Sequence, residues 1–293
     1  MAEIVYLNGV LVPLSLANIS PFDHGFLYGY GLFETMRAYN GIIFRLERHL
    51  DRLRRAAEKL GLHSRLATFD LESACYHVLT TNELTDARLR LTISAGEGDI
   101  VPNPATCQGI TVFIVARKLT PLPPEHYQQG YRAIVSSLRR NSQSPLSRLK
   151  TSCYLENILA RQEAKAAGAD EAVVSNEQGL VAEGSSSNIF LVHKGQLLTP
   201  SINCGALPGI TREAVLELAS SLGIRATETE LTPEQLLAAE EAFFTSSIIE
   251  IMPLTQLDDN PIGSGKPGVL TLRLMEAYRK LVAEYQRTKA ESS

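Results

Sequence analysis

The sequence contains little that could bind a metal or form a disulfide framework. Its 293 residues include no tryptophan, four cysteines and six histidines. The cysteines are scattered without a C-x-x-C pair, and the histidines form no H-E-x-x-H motif. We therefore expect reduced thiols, as in a cytoplasmic protein, and no metal.

Strong charge and long apolar runs are also missing. The formal net charge is −4, and no basic arm is present, so nucleic acid is not an expected partner. No apolar run approaches the roughly 18 residues of a membrane span. The first residues lack the charged and apolar segments of a secretory signal. These absences favour a cytoplasmic protein that does not bind membranes.

The chain is too long for one small core, and its composition is that of a globular protein, with 44% hydrophobic and 20% charged residues. Residues 119–130 contain three prolines, at positions 121, 123 and 124. Because such a segment resists both helix and strand, it predicts an interdomain linker. The expected domains are residues 1–118 and 131–293.

Local patterns predict strands and helices in both parts. Two Asn-Gly pairs, at positions 8–9 and 40–41, predict tight hairpins. The helix expected at 46–60 has Arg52 on its polar face, and alternation predicts a strand at 87–94. Further predicted strands lie at 109–116, 131–137, 171–175, 180–183, 188–192, 196–199 and 241–245. Further helices are predicted at 154–167, 211–222, from Thr232 as N-cap, and at 270–284, with 289–293 as a frayed tail.

Lys150 and Glu183 are the strongest candidates for chemistry. A lysine is usually a solvated charge, but Lys150 lies between two ordered elements, where burial could lower the pKa of the amine enough for it to attack an aldehyde. Glu183 ends a strand and enters a Gly-Ser-Ser-Ser turn. That turn is either a plain loop or the place where a carboxylate keeps a pyridine nitrogen protonated.

Several segments offer groups for an anion. A helix begins near Gly209–Arg212, where backbone N–H groups either bind phosphate or are simply capped by Thr211. Ser246 and Ser247 follow a strand and could add donors. Arg52 could bind phosphate with two hydrogen bonds or be solvated. Arg88 and Arg90 share one strand face, where they could bind a substrate carboxylate or merely face solvent.

A lysine, an acid and a backbone-donor turn are the parts needed to hold pyridoxal phosphate (PLP).

Together these motifs resemble the class IV aminotransferases, the fold-type IV PLP enzymes, over nearly the whole chain. Residues 20–35, SPFDHGFLYGYGLFET, resemble the opening signature of the family, and residues 49–53, HLDRL, its phosphate-binding helix. Residues 240–246, EEAFFTS, resemble its late strand motif. The resemblance implies an α/β (α+β) fold, with a small N-terminal α+β domain, a larger barrel-like C-terminal domain and PLP at the domain interface. It also implies a homodimer.

The resemblance further implies the roles of individual residues. Lys150 matches the Schiff-base lysine and is the expected catalytic residue. Expected cofactor contacts are Arg52, Lys150, Tyr154, Glu183, Ser187, Asn188, Leu207, Gly209, Ile210, Thr211, Ser246 and Ser247. Expected substrate contacts are Phe33, Arg37, Arg88 and Arg90.

Three activities are compatible with these motifs. The favoured one is transamination between an amino acid or amine and a keto acid. The alternative is an aminodeoxychorismate lyase, which releases pyruvate to give 4-aminobenzoate, because residues 20–35 and 87–96 resemble lyases of the Gram-positive kind. The third, a PLP-binding protein without turnover, is disfavoured because a pure binder needs no acid at the ring nitrogen.

Overall fold

The computed structural model describes residues 2–291, which pack into two units. One unit runs to Thr120 and includes Leu149–Cys153 and the chain from Tyr285 onward, whereas the other comprises Pro121–Arg148 and Tyr154–Glu284. These units differ from the contiguous domains expected from the sequence, because the five residues around Lys150 pair with a strand of the first unit.

The first unit is built on an antiparallel sheet of six strands, with the order β2-β1-β6-β5-β3-β4. Its elements are β1 (Ile4–Leu7), β2 (Val10–Pro13), α1 (His24–Tyr28), β3 (Gly31–Tyr39), β4 (Ile42–Ile43), α2 (Leu46–Lys59), α3 (His63–Leu66), α4 (Leu71–Thr81), β5 (Ala87–Ser94) and β6 (Thr111–Lys118). Both predicted hairpins are confirmed. Asn8 and Asn40 each have φ of 49°, the left-handed backbone that asparagine tolerates in such turns.

Apolar side chains of β3, β5 and α2 form the core of this unit. Leu89 and Leu91 of β5 are fully buried, as are Leu50 and Leu53 of α2. Burial of each such side chain stabilises the fold by roughly 1.5–3 kcal/mol. The solvated alternative for Arg52 is wrong. Arg52 is only 8% exposed, because it pairs with a buried acid of β3.

The second unit is built on a mixed sheet of nine strands that curves into a half-barrel. Along the sheet the order is β12-β11-β10-β13-β14-β7-β8-β9, and β15 pairs with β14. Its elements are α5 (Pro124–Gln129), β7 (Tyr131–Arg140), α6 (Leu155–Ala166), β8 (Glu171–Asn176), β9 (Val181–Gly184), β10 (Asn188–His193), β11 (Gln196–Pro200), α7 (Ile210–Ser221), β12 (Ala226–Thr229), α8 (Pro233–Leu237), β13 (Glu241–Ser246), β14 (Glu250–Leu257), β15 (Asn260–Pro261) and α9 (Val269–Glu291), whose last turns belong to the first unit.

Several segments depart from the sequence predictions, which also omitted α1, α3, α4, β12 and β15. The segment 119–130, expected to be irregular, contains α5, which begins with Pro124 at the first helical position, where its missing N–H costs nothing. β14 was not predicted because it contains Pro253; pairing of β14 with β7 starts only at Leu254. α9 continues to Glu291 instead of fraying from position 289. The last two residues of that predicted tail lie outside the described chain.

Within residues 2–291, none of the helices combines the length and the apolar character that crossing a membrane requires.

Candidate active site

Lys150 is held by a short backbone pairing with the start of β3. Phe33 N donates to Lys150 O at 2.9 Å, and Ser152 N donates to Gly31 O at 2.9 Å. The lysine side chain is half-buried, and its Nζ lies 4.6 Å from the centroid of the Phe33 ring. Because the backbone is fixed at the lysine and just after it, the lysine side chain starts from a defined position beside Phe33.

The predicted substrate contacts share one face of the first sheet with Phe33. The guanidinium carbon of Arg90 lies 3.7 Å from the centroid of the Phe33 ring. Arg37 of β3 is directly opposite Arg88 of β5, which is in turn opposite Arg117 of β6. Like charges in directly opposite positions destabilise a sheet, so this face favours a bound anion.

Arg52 is bound by a buried glutamate that was not predicted as a site residue. Glu34, 1% exposed, accepts hydrogen bonds from Arg52 Nε at 2.8 Å and Arg52 Nη2 at 2.6 Å. Its Oε2 also lies 2.7 Å from Nδ1 of His49. We refer to Glu34, His49 and Arg52 as the Glu34 triad.

Burial and the neighbouring charges shift the pKa values of Glu34 and His49. Burial alone would raise the pKa of Glu34, but the Arg52 guanidinium and the hydrogen bond from His49 lower it to about 2. Burial lowers the pKa of His49, against the opposing effect of Glu34. The histidine is therefore neutral near pH 7, and its Nδ1–H donates to Glu34.

The depressed pKa of Glu34 predicts a loss of stability in acid. Its ordinary value is 4.5 and the folded value about 2, so the carboxylate stabilises the fold fully above about pH 4.5 and progressively less down to about pH 2. The contribution is on the order of 3 kcal/mol. We expect the free energy of unfolding of wild type to fall more steeply than that of E34Q between neutral pH and about pH 3. Parallel denaturant titrations of the two proteins measure this difference, and identical pH profiles would contradict it.

Glu183 is buried at the end of β9 and surrounded by donors. Asn188 Nδ2 donates to its Oε2 at 3.0 Å, the Leu207 N–H donates to the same oxygen at 2.9 Å, and Arg140 Nη1 donates to its Oε1. A carboxylate has about four lone-pair sites, so these three donors leave a site for one more. The carboxylate thus fits the protonated nitrogen of a pyridine ring.

Arg140 is a site residue that the sequence did not reveal. It follows the exposed Arg139 at the end of β7, and such a pair of arginines ordinarily indicates a solvated strand end. Arg140 is instead buried, and its Nε lies 3.6 Å from Glu156 Oε2. Burial would lower the pKa of Arg140, but Glu183 and then Glu156 raise it overall. Arg140 therefore balances the negative charge of Glu183.

The start of α7 approaches Asn188 closely. A Cβ atom at Gly209 would lie 1.9 Å from Asn188 Oδ1, and Asn188 Nδ2 also donates to Leu207 O at 2.8 Å. Gly209 is the N-cap of α7 and provides no side-chain cap, so Thr211 is not the cap considered in the sequence. The first N–H groups of a helix have no partner within it. Those at Ile210 and Thr211 can thus bind phosphate with help from the helix dipole.

The serines predicted to contact the cofactor, Ser246 and Ser247 on one side and Ser187 on the other, lie in two different turns. Thr245 pairs with Asn188, so Ser246 and Ser247 form the turn just beyond Asn188, and they fit a role as further phosphate donors. The hydroxyl of Ser187 instead donates to Glu171 at 3.2 Å.

The turn formed by residues 185–187 is held by the side chains of Glu171 and Tyr154. The carboxylate of Glu171, a residue that the sequence did not reveal, also accepts from the N–H and hydroxyl of Ser185. The phenol of Tyr154 donates to Ser185 O at 3.4 Å. Ser187 and Tyr154 thus both support this turn.

Comparison with known proteins decides the family. The family model for amino-transferase class IV matches residues 31–257. The chain belongs to the class IV aminotransferases. It is therefore an enzyme that depends on PLP and carries out transamination, as predicted from the sequence.

Individual relatives of this aminotransferase cover nearly its whole length. A Methanocaldococcus jannaschii protein, provisionally named a branched-chain-amino-acid aminotransferase, is 38% identical over 278 residues, which are 94% of this chain and 96% of the relative. The aminodeoxychorismate lyase of Bacillus subtilis is 36% identical over 94% of each chain. The branched-chain aminotransferase of Thermoproteus uzoniensis, solved with norvaline, superimposes with a TM-score of 0.87 at 34% identity, covering 96% of this chain and 95% of that one.

Proposed function

We propose that this aminotransferase uses Lys150 to anchor PLP and to move the substrate proton, with Glu183 at the ring nitrogen. When bound, PLP supplies an aldehyde that condenses with amines and a protonated ring that takes up electrons from the breaking Cα–H bond. Released by the incoming amino donor, Lys150 Nζ accepts the Cα proton as a general base and returns it as a general acid. The observation that carries this proposal is the buried Glu183 carboxylate, which has three donors and room for a fourth.

The phosphate end is proposed to be bound by Arg52 and by two turns of the second unit. These turns are the start of α7, with Gly209, Ile210 and Thr211, and the Ser246–Ser247 turn. Leu207 is proposed to pack under the ring, since its backbone already contacts both Glu183 and Asn188.

Arg90, Arg88 and Arg37 are proposed to attract the carboxylates of the amino acid and keto acid. Arg90 is the principal one, because Phe33 contacts both its guanidinium and the Lys150 amine. A substrate that reacts at this amine can therefore reach Arg90 with its carboxylate.

Replacing Arg90 with methionine is expected to raise KM for a keto acid about tenfold or more with a smaller effect on kcat, as for an interaction made equally in ground and transition states. R88M is expected to raise KM less, because Arg88 is exposed. R117M is the matched control, since Arg117 lies on the same sheet face but pairs with Glu3 at 2.9 Å. Equal KM values in R90M and R117M would remove Arg90 from the site.

The transaminase proposal is tested with amino donors of both configurations and 2-oxoglutarate, with detection of the keto acid formed. Aminodeoxychorismate is supplied in a separate reaction, because the Bacillus subtilis relative is a lyase. We expect a keto acid in the first reaction. Formation of 4-aminobenzoate in the second, with no keto acid in the first, would replace transamination by the lyase reaction.

A homodimer is also proposed, through an apolar surface of the first unit. Leu16, Phe22 and Phe26 are 65%, 46% and 76% exposed, and Phe26 borders a cavity of about 420 Å³ that Ile19 and Pro21 also line. Large exposed apolar patches mark interaction surfaces, and we propose that these side chains form one. Light scattering of wild type and F26E tests the proposal. A wild type that is monomeric at all concentrations would exclude it.

We further propose a cytoplasmic location, because all four cysteines, which lie in the described part of the chain, are free thiols. Cell fractionation tests this location, and recovery of the protein outside the cytoplasm would refute it.

A further inference from the structure

We propose that Glu34 is a positioning residue that sets the plane of the Arg52 guanidinium for the cofactor phosphate, and that His49 holds Glu34 in place. This inference rests on the proposed function, in which Arg52 binds the phosphate. It adds two residues, one on β3 and one on α2, that need not touch the cofactor.

The hydrogen bonds of the Glu34 triad fix the orientation of the guanidinium. Glu34 receives both Nε–H and one N–H of Nη2 of Arg52, and two parallel bonds of this kind define the plane of the group. They occupy one edge of the guanidinium. The direction of the edge formed by Nη1 and Nη2 is therefore set by Glu34.

The carboxylate itself is fixed from two directions. Oε2 accepts from both Arg52 and His49, and Glu34 and His49 are 1% and 2% exposed. His49 precedes Arg52 by three residues, so α2 presents both side chains to β3 on adjacent turns. Glu34 lies next in sequence to Phe33, whose N–H donates to Lys150 O. One strand thus orients both the arginine and the segment that carries the lysine.

Electrostatics and positioning predict opposite effects of removing the Glu34 charge. If Glu34 acted only through its charge, the neutral variant E34Q would bind a phosphate more tightly, because an anion near the phosphate would be gone. If Glu34 positions Arg52, E34Q binds phosphate more weakly, because the guanidinium is no longer fixed. The sign of the change therefore separates the two roles.

The experiment measures binding of pyridoxamine 5'-phosphate and of pyridoxamine to the cofactor-free protein by calorimetry. Neither compound can link covalently to Lys150, and only the first carries a phosphate. We expect E34Q to raise Kd for pyridoxamine 5'-phosphate about ten- to a hundredfold, the range seen when a residue that orients a ligating side chain is lost. Kd for pyridoxamine should change less than about twofold, because this compound has no phosphate for Arg52 to bind. A partly unfolded variant would instead bind both compounds more weakly.

Four further variants complete the test. H49Q should raise Kd for the phosphate compound in the same direction but less. E34D keeps the charge and shortens the side chain, so it should also lose affinity for the phosphate. R52A should lose more than E34Q, and the double variant E34Q/R52A should bind no more weakly than R52A, as expected for residues that act in series. The matched control is D51N, which removes the acid next to Arg52 in the sequence. Among the described contacts Asp51 pairs only with Arg54, so D51N should bind the phosphate compound like wild type.

Tighter or unchanged phosphate binding in E34Q, wild-type binding in E34D, or additive losses in the double variant would each overturn the positioning role. Failure of wild type itself to bind pyridoxamine 5'-phosphate would instead refute the proposed function. The two failures are thus distinguishable.

Discussion

Replacing Lys150 with alanine is expected to abolish the visible absorbance of the lysine-linked cofactor and to lower kcat about a thousandfold or more. Loss of a positioned general base alone costs roughly 10²- to 10⁴-fold, and here the covalent anchor is lost as well. The purified protein, supplied with PLP, is examined by absorbance, by mass spectrometry after borohydride reduction, and by steady-state assay.

The matched control for this variant is K165A. Lys165 is an exposed lysine of α6, so its loss should leave both the spectrum and kcat unchanged. K150A should still fold, because the pairing with β3 uses the backbone of residues 150 and 152. A visible band that persists in K150A would show that another amine carries the cofactor.

Replacing Glu183 with glutamine is expected to lower kcat about a hundred- to a thousandfold while PLP remains bound. The amide cannot balance a protonated pyridine nitrogen, and loss of one preorganised electrostatic contact of this kind typically costs that much. The Arg140 guanidinium would also be left beside a neutral group. Steady-state kinetics and the pH dependence of the cofactor absorbance measure both consequences.

The control for Glu183 is E156Q, because Glu156 is the other acid beside Arg140. If kcat falls in E183Q only because Arg140 loses charge balance, E156Q should show part of the same loss. If the carboxylate acts directly on the ring nitrogen, E156Q should retain nearly full kcat. We expect the second result, and a large loss in both variants would assign the effect to Arg140.

Much of the fold follows from local sequence patterns. The strand Ala87–Ser94 was predicted at its observed bounds because apolar and polar side chains alternate along it. The helix α2 and the N-cap at Thr232 were equally predictable from the sequence. The strand β14 could not be predicted in this way, because a proline such as Pro253 normally argues against a strand. Proline is tolerated here because the pairing of β14 with β7 starts only at Leu254.

The candidate site was less predictable than the fold. Lys150, Glu183 and Gly209 were predicted as site residues because they stand in motifs with a known order along the chain. Glu34 was not selected, although an acid between Leu32 and Met36 occupies a core position of β3. An acid at such a position must find a partner. Looking for that partner on the helix that covers the strand would have pointed to His49 and Arg52, and would have excluded the solvated alternative for Arg52.

The first unit cannot be separated from the rest of the chain by a cut after Thr120, because it includes two later segments. A chain cut after Thr120 would leave the Phe33 N–H without the Lys150 carbonyl that it meets in the intact chain. It would also lose Tyr285, whose hydroxyl donates to Glu47 at 2.8 Å. A chain that ends at position 120 is therefore expected to be insoluble when it is expressed alone. The first unit is assembled from three separate stretches of the chain, so the two units are expected to be inherited together.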